Sequence, residues 1–72
     1  MSRVVALGHS TKVGGYTLAG VTVLATDEDG PEAAWQQLPA DTGLVVLDPH
    51  AADALRERLA ERPRLLWTVM PS

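Results

Sequence analysis

Four short apolar runs divide this chain and constrain its fold more than any other feature. They span residues 4–7, 21–24, 44–47 and 65–70. The first and third are apolar at every position, without the alternation that marks a half-buried strand. Continuous runs of this kind are typical of strands buried on both faces, as in parallel sheets covered by helices. The pattern therefore predicts four strands, of which the first and third are expected to be buried on both faces.

Helical segments are predicted between these runs. The second segment has Pro31 at its first helical position and ends at Pro39. The third is the best defined, because Asp48 can cap it before a proline at the first helical position, and Pro63 stops it. The first contains adjacent glycines at positions 14 and 15, which predicts a loose turn and a short helix ending at Gly20.

The resulting order is β-α-β-α-β-α-β over a single domain, residues 1–72. Right-handed crossovers make this a small, open, four-stranded and mainly parallel sheet with helices on both faces, a Rossmann-like α/β fold. The chain has no Phe and only three aromatic residues, so its core must come from Val, Leu and Ala. Trp35 and Trp67 are its bulkiest candidates. We expect Trp67 to belong to the core rather than to an interface, although it could serve both roles if the last strand is an edge.

Composition excludes several classes of protein. The absence of cysteine rules out disulfides and thiolate metal sites. Net charge is −3, and the arginines of residues 56–64 alternate with Glu57 and Glu61, which indicates a solvated helix face rather than a nucleic-acid surface. No run approaches the roughly 18 apolar residues of a membrane span. Since the N-terminus has no signal-peptide pattern, a cytoplasmic protein without membrane insertion is expected.

Polar residues follow the predicted strands, at the edge where α/β folds usually place their functional sites. They are Gly8-His9-Ser10, Thr26-Asp27, Asp48-Pro49 and Pro71-Ser72. His9, Ser10 and Asp48 invite a hydrolase interpretation, but there is no G-x-S-x-G motif, and His9 adjoins Ser10 in the chain. A helix-capping role explains Asp48 without catalysis.

Phosphate and metal chemistry find equally little support. A phospho-accepting receiver domain would need an acidic cluster after the first strand, where this chain has His9 and Ser10. Neither Gly-rich phosphate-loop motif occurs. His9 and His50 could reach the same edge of the sheet, but two histidines without a third ligand make a poor metal site. We therefore predict no catalytic, cofactor-binding or metal-binding residues.

Residues 5–10, followed by residues 13–21, resemble the opening of the F subunits of V-type and A-type ATPases. Members of that family begin with a strand, a short polar loop and a Gly-aromatic-x-Leu-Ala-Gly-(Val/Ile) segment. The similarity continues through Glu32-Ala33-Ala34, residues 43–47 and residues 64–72. The matching positions of the opening segment are Gly15, Tyr16, Leu18, Ala19, Gly20 and Val21.

The resemblance implies a non-catalytic central-stalk (rotor) subunit with a coupling or regulatory role. Such a subunit sits on an elongated helical stalk subunit, so it is cytoplasmic and peripheral to the membrane; the isolated domain could also self-associate. Family members continue past a Pro-Ser pair into a C-terminal helical segment, whereas this sequence ends at Ser72. The alternative is a stand-alone ligand-binding or sensory module, which a deep polar pocket at the strand ends would favour. Candidate partner-binding residues are His9, Ser10, Tyr16, Trp67 and Pro71.

Overall fold

The protein, represented by a computed structural model, is described over residues 2–71, with the side chains of residues 17–19 left aside. The predicted order of strands and helices is confirmed, with the third helical segment divided in two. The elements are β1 (Arg3–Gly8), α1 (Ser10–Val13), a 3-10 helix (Gly14–Ala19), β2 (Thr22–Ala25), α2 (Gly30–Gln36), β3 (Thr42–Leu47), α3 (Pro49–Ala54), α4 (Arg56–Ala60) and β4 (Leu66–Val69).

The four strands form one sheet in the order β2-β1-β3-β4, and every pair of neighbours is parallel. The predicted α/β fold is therefore confirmed. β1 and β3 are the central strands, which is consistent with their continuous apolar runs. Val5 and Leu7 of β1 and Val45 and Leu47 of β3 are completely buried.

Each face of the sheet has its own apolar cluster, named here after the helix that covers it. On the α3 face, α2, α3 and α4 pack over the central strands, and the cluster contains Leu7, Ala34, Val45, Leu47, Ala51, Leu55, Leu59 and Leu65. On the α1 face, the buried members are Ala6, Val13 and Met70, with partly buried Tyr16, Val21, Val23 and Val46 against them. Trp35, Leu38 and Ala52 are partly buried and pack on the α3 face.

The ends of the helices follow the sequence signals closely. α3 begins after Asp48, whose side chain caps it, and α2 ends before Pro39. The first helical segment closes at Gly20, as predicted, and this glycine is in the left-handed region with a φ of 77°. The third helix was predicted to be continuous, but it is interrupted at Leu55, whose ψ is 14°. No glycine or proline lies at this position to indicate the interruption in the sequence.

β4 departs from the sequence expectation. It is an edge strand, and all four of its residues are exposed. Trp67 is 47% exposed, so the prediction that it belongs primarily to the core is wrong. The physical reason lies in the helix layer, because α3 packs on β1 and β3 and leaves β4 incompletely covered.

Within residues 2–71, no helix has both the length and the apolar character needed to cross a bilayer.

Candidate functional site

A buried carboxylate organises the carboxyl ends of β1 and β3. Asp48 is only 4% exposed. Its Oδ1 accepts a hydrogen bond from the N–H of Ala51 at 2.7 Å, which is the predicted helix cap. Its Oδ2 accepts another from the N–H of His9 at 2.8 Å, which the sequence did not indicate. One side chain thus fixes both the start of α3 and the loop after β1.

Gly8 lies against this carboxylate. A Cβ atom at position 8 would lie 2.7 Å from Cγ of Asp48, closer than real contacts allow. The glycine is therefore required for the close approach of β1 to Asp48. The only sequence signal for this contact is the glycine itself, at the end of the first apolar run.

A second carboxylate holds the loop that leads into α1. Asp27 accepts hydrogen bonds from the Ser10 hydroxyl at 2.5 Å and from the Ser10 N–H at 2.8 Å. These bonds, the side-chain one foremost, lower the pKa of Asp27, and the nearby His9 ring adds to the effect. Nε2 of His9 lies 3.5 Å from Asp27 Oδ2.

The Ser10 hydroxyl therefore donates to a carboxylate rather than to an imidazole. Nδ1 of His9 lies 2.8 Å from Oγ1 of Thr11 and also accepts from the Thr11 N–H at 3.2 Å. The base within reach of the Ser10 oxygen is the Asp27 carboxylate, and its lowered pKa makes it a weak proton acceptor for activating a serine. The residues that invited a hydrolase interpretation come together in space, but in an arrangement typical of loop capping.

An open hollow of about 470 Å³ lies beside these side chains. His9 and His50 both line it, as their positions after β1 and β3 suggested. In the part of the chain that the structure describes, every buried side-chain nitrogen or oxygen has a hydrogen-bond partner, and no group of three or more His, Asp or Glu side chains is arranged to hold a metal ion. The remaining lining residues are Thr11, Lys12, Thr26, Asp27, Gly30, Pro31 and Asp48.

The second notable region surrounds β4, residues 66–69, and has an exposed apolar part on each face of the sheet. On the α1 face, Val4, Leu44 and Leu66 are register partners and form one row across three strands. Val4 is 37% exposed and Leu66 is 68% exposed, with Leu44 partly buried between them. The row is open because α1 and the 3-10 helix pack mainly on β1 and β2 and reach the other half of the sheet at Val46 and Met70.

On the α3 face, the same strand borders an apolar groove of about 550 Å³. Trp67 and Val69 form one wall of this groove, and Val69 is 41% exposed. The other wall is the outer side of α3 and α4. Asp53 and Arg56 stand at its rim as an ion pair of 2.6 Å. The apolar lining is completed by Pro49, Ala52, Leu59 and Ala60.

The five residues predicted to bind a partner lie in separate places. His9 and Ser10 are at the strand ends, and Tyr16 is half-buried in the α1-face cluster. Trp67 borders the groove on the opposite face, and Pro71 is exposed beyond β4. Sequence reasoning missed the exposed Leu66, Val69 and Val4, since an apolar run reveals strand character without showing which strand forms an edge.

No protein-family model matches this sequence, and no curated protein matches it significantly.

Proposed function

We propose that this chain is a non-catalytic protein-binding subunit that docks onto an elongated helical partner. The observation that carries the proposal is the open apolar row of Val4, Leu44 and Leu66 on the α1 face. The resemblance of the chain to the F subunits of V-type and A-type ATPases adds a specific setting. In that setting the chain is a central-stalk component with a coupling or regulatory role, cytoplasmic and peripheral to the membrane.

The dimensions of the open row suit a helix. Neighbouring strands lie about 4.8 Å apart, so three strands span about 10 Å. That width matches the diameter of an α-helix with its side chains. In α/β folds an apolar sheet face is normally covered by helices, and on this face the helices lie mainly over β1 and β2. A partner helix with an apolar stripe would complete the layer.

The polar residues at the strand ends support a non-catalytic role. The carboxylates of Asp48 and Asp27 hold backbone and hydroxyl groups of the loop between β1 and α1. Their hydrogen-bonding capacity is used within the fold. Catalytic groups, in contrast, are generally aimed at a substrate position.

Titration against the central-stalk subunit of the same organism's V-type or A-type ATPase tests the proposal by calorimetry. We expect measurable affinity for the unaltered chain and at least a tenfold loss for Leu66→Lys, since burying one leucine contributes about 1.5–3 kcal/mol. Gln36→Lys is the control, because it adds the same charge at an exposed position of α2. Absence of binding at tens of micromolar, or equal losses in both variants, contradicts the proposal.

A second candidate, a small-ligand or sensory module, rests on the hollow at the strand ends, although this hollow is open rather than deep. It is open, lies at the carboxyl edge of a parallel sheet, and brings Lys12 and two histidines to one cavity. Titration with inorganic phosphate, followed by backbone amide NMR shifts, tests this candidate. Shifts confined to His9, Lys12 and His50 that saturate in the low millimolar range would support it, and uniform small shifts would reject it.

A further inference from the structure

We propose that β4 pairs with β4 of a second copy of this chain, antiparallel and about a two-fold axis at Thr68, to form one continuous eight-stranded sheet. The proposal concerns the edge of the sheet. It is independent of any helix that covers the open row on the α1 face.

The outer edge of β4 has unpaired backbone groups. The N–H of Met70 donates to the carbonyl of Leu47 on β3 at 2.8 Å. Since successive residues of a strand direct their N–H and C=O groups to opposite sides, Thr68 also faces β3. Trp67 and Val69 therefore direct their backbone groups away from β3, to a side where none of the described strands lies.

One antiparallel register uses all of these groups. With Thr68 opposite its own copy, Trp67 lies opposite Val69 of the second copy, and Val69 opposite Trp67. Each such pair exchanges two hydrogen bonds, so two pairs give four. Trp67 and Val69 are the outward-facing residues, so the strand is complementary to itself in this register.

The neighbouring registers are poorer. Centring the axis on Trp67 would require the N–H of Leu65, which already donates to the carbonyl of Arg62 at 3.0 Å. Centring it on Val69 would bring Trp67 opposite Pro71, which has no N–H to donate. The axis at Thr68 is thus selected by the residues at both ends of the strand.

Side chains agree with this register. A two-fold axis perpendicular to the sheet keeps the α3 faces of both copies on one side. Trp67 then lies beside Val69 of the second copy, and Leu66 beside its Met70, so each exposed apolar side chain gains an apolar neighbour while both faces of the sheet stay accessible. The groove rims also fit a second copy, because each carries Asp53 and Arg56, one of each charge.

β4 also lacks the side chains that usually protect an edge strand from pairing. Such strands normally carry a lysine, a proline or an inward charge. Residues 65–70 contain neither a charged residue nor a proline. At the other edge of the sheet, the Arg3 guanidinium binds Oγ1 of Thr22 on β2 at 3.1 Å, which places a charge there.

Charges introduced at the two-fold axis provide the experiment, and sedimentation equilibrium of the chain alone measures the result. Thr68 is exposed and would face its own copy, so Thr68→Lys and Thr68→Glu should each raise the dimer dissociation constant at least tenfold. An equimolar mixture of the two variants should recover a dimer. Gln36→Lys should leave the dimer unchanged.

A proline variant tests the backbone pairing itself. Val69→Pro removes an N–H that faces away from β3, so the domain should stay folded by circular dichroism and become monomeric. The proposal is overturned if the unaltered chain is monomeric at hundreds of micromolar, or if the Lys and Glu variants fail to associate when mixed. A folded Val69→Pro dimer would also overturn it. None of these measurements involves a stalk protein, so this inference and the proposed function fail separately.

Discussion

Oδ2 of Asp48 accepts a hydrogen bond from the backbone N–H of His9 at 2.8 Å, although the two residues follow different strands. The second oxygen of the same carboxylate caps α3. Because Asp48 is buried, the bonds replace hydration that the group would have in the unfolded chain. The strand-end loops are therefore held in place by an interior carboxylate.

Asp48→Asn should destabilise the domain by about 1–3 kcal/mol, as expected when a buried donor loses its acceptor. Asparagine keeps one acceptor oxygen, and its amide group would face a backbone N–H. Urea denaturation followed by circular dichroism measures the difference. Asp53→Asn is the control, since that carboxylate is exposed and its ion pair should contribute less than about 1 kcal/mol. Equal stability of the two variants would contradict the proposed role of Asp48.

Gly8→Ala should cost about 1–3 kcal/mol, because the added methyl group would lie 2.7 Å from Asp48 Cγ and force a shift in a packed region. Gly14→Ala is the matched control. Gly14 has helical angles, φ −55° and ψ −36°, with open space around the added atom. The control should be neutral or stabilising by up to about 1 kcal/mol. Thermal unfolding of both variants should give shifts of opposite direction or clearly different size.

Gly20→Ala tests backbone conformation without a steric clash. Its φ is 77°, and nothing lies within 4 Å of an added Cβ. The left-handed conformation costs an L-residue about 1–2 kcal/mol, so the free energy of unfolding should fall by that amount. Asn is tolerated better in this region, so Gly20→Asn should lose less. An unchanged melting temperature for Gly20→Ala would contradict the positive φ.

The pKa of Asp27 should depend on Ser10. The Ser10 hydrogen bonds hold this pKa below the ordinary value of 3.8, so the folded state binds the proton more weakly than the unfolded state. The stabilising contribution is therefore present above that value and is lost as the pH falls through the folded-state pKa. Ser10→Ala should raise the pKa of Asp27, as measured by carboxyl ¹³C NMR. A titration curve identical to that of the unaltered chain would contradict this assignment.

Sequence patterns were sufficient for the central strands and the helix starts. β1 and β3 are apolar at every position of their predicted runs, in keeping with their central place and with the complete burial of Val5, Leu7, Val45 and Leu47; the cap of α3 follows from Asp48 before Pro49. These features depend on neighbours in the chain, so local residue types determine them. The positive φ of Gly20 belongs to the same group.

Other features depend on strand order and could not be predicted. The contacts of Asp48 with His9 and of Ser10 with Asp27 arise because β1 lies between β2 and β3. Trp67 is exposed because the strand order places β4 at an edge of the sheet. A run of apolar residues buries well in a central strand and poorly in an edge strand, and nothing local in residues 65–70 distinguishes the two positions.

Trp67 therefore supplies the last prediction, which compares an edge residue with a core residue in the same domain. In a Thr68→Lys background, which keeps the chain monomeric under the pairing inferred above, Trp67→Ala should cost about 1–2 kcal/mol, roughly half the usual value for a buried aromatic. Leu55→Ala should cost about 2–5 kcal/mol, because Leu55 is completely buried on the α3 face.

Without the background substitution, Trp67→Ala should lose more, since the second copy covers the indole ring. Urea denaturation at two protein concentrations separates these contributions, because only the dimer contribution depends on concentration. If Trp67→Ala and Leu55→Ala lower the free energy of unfolding equally in the monomeric background, the indole ring belongs to the core and the prediction is contradicted.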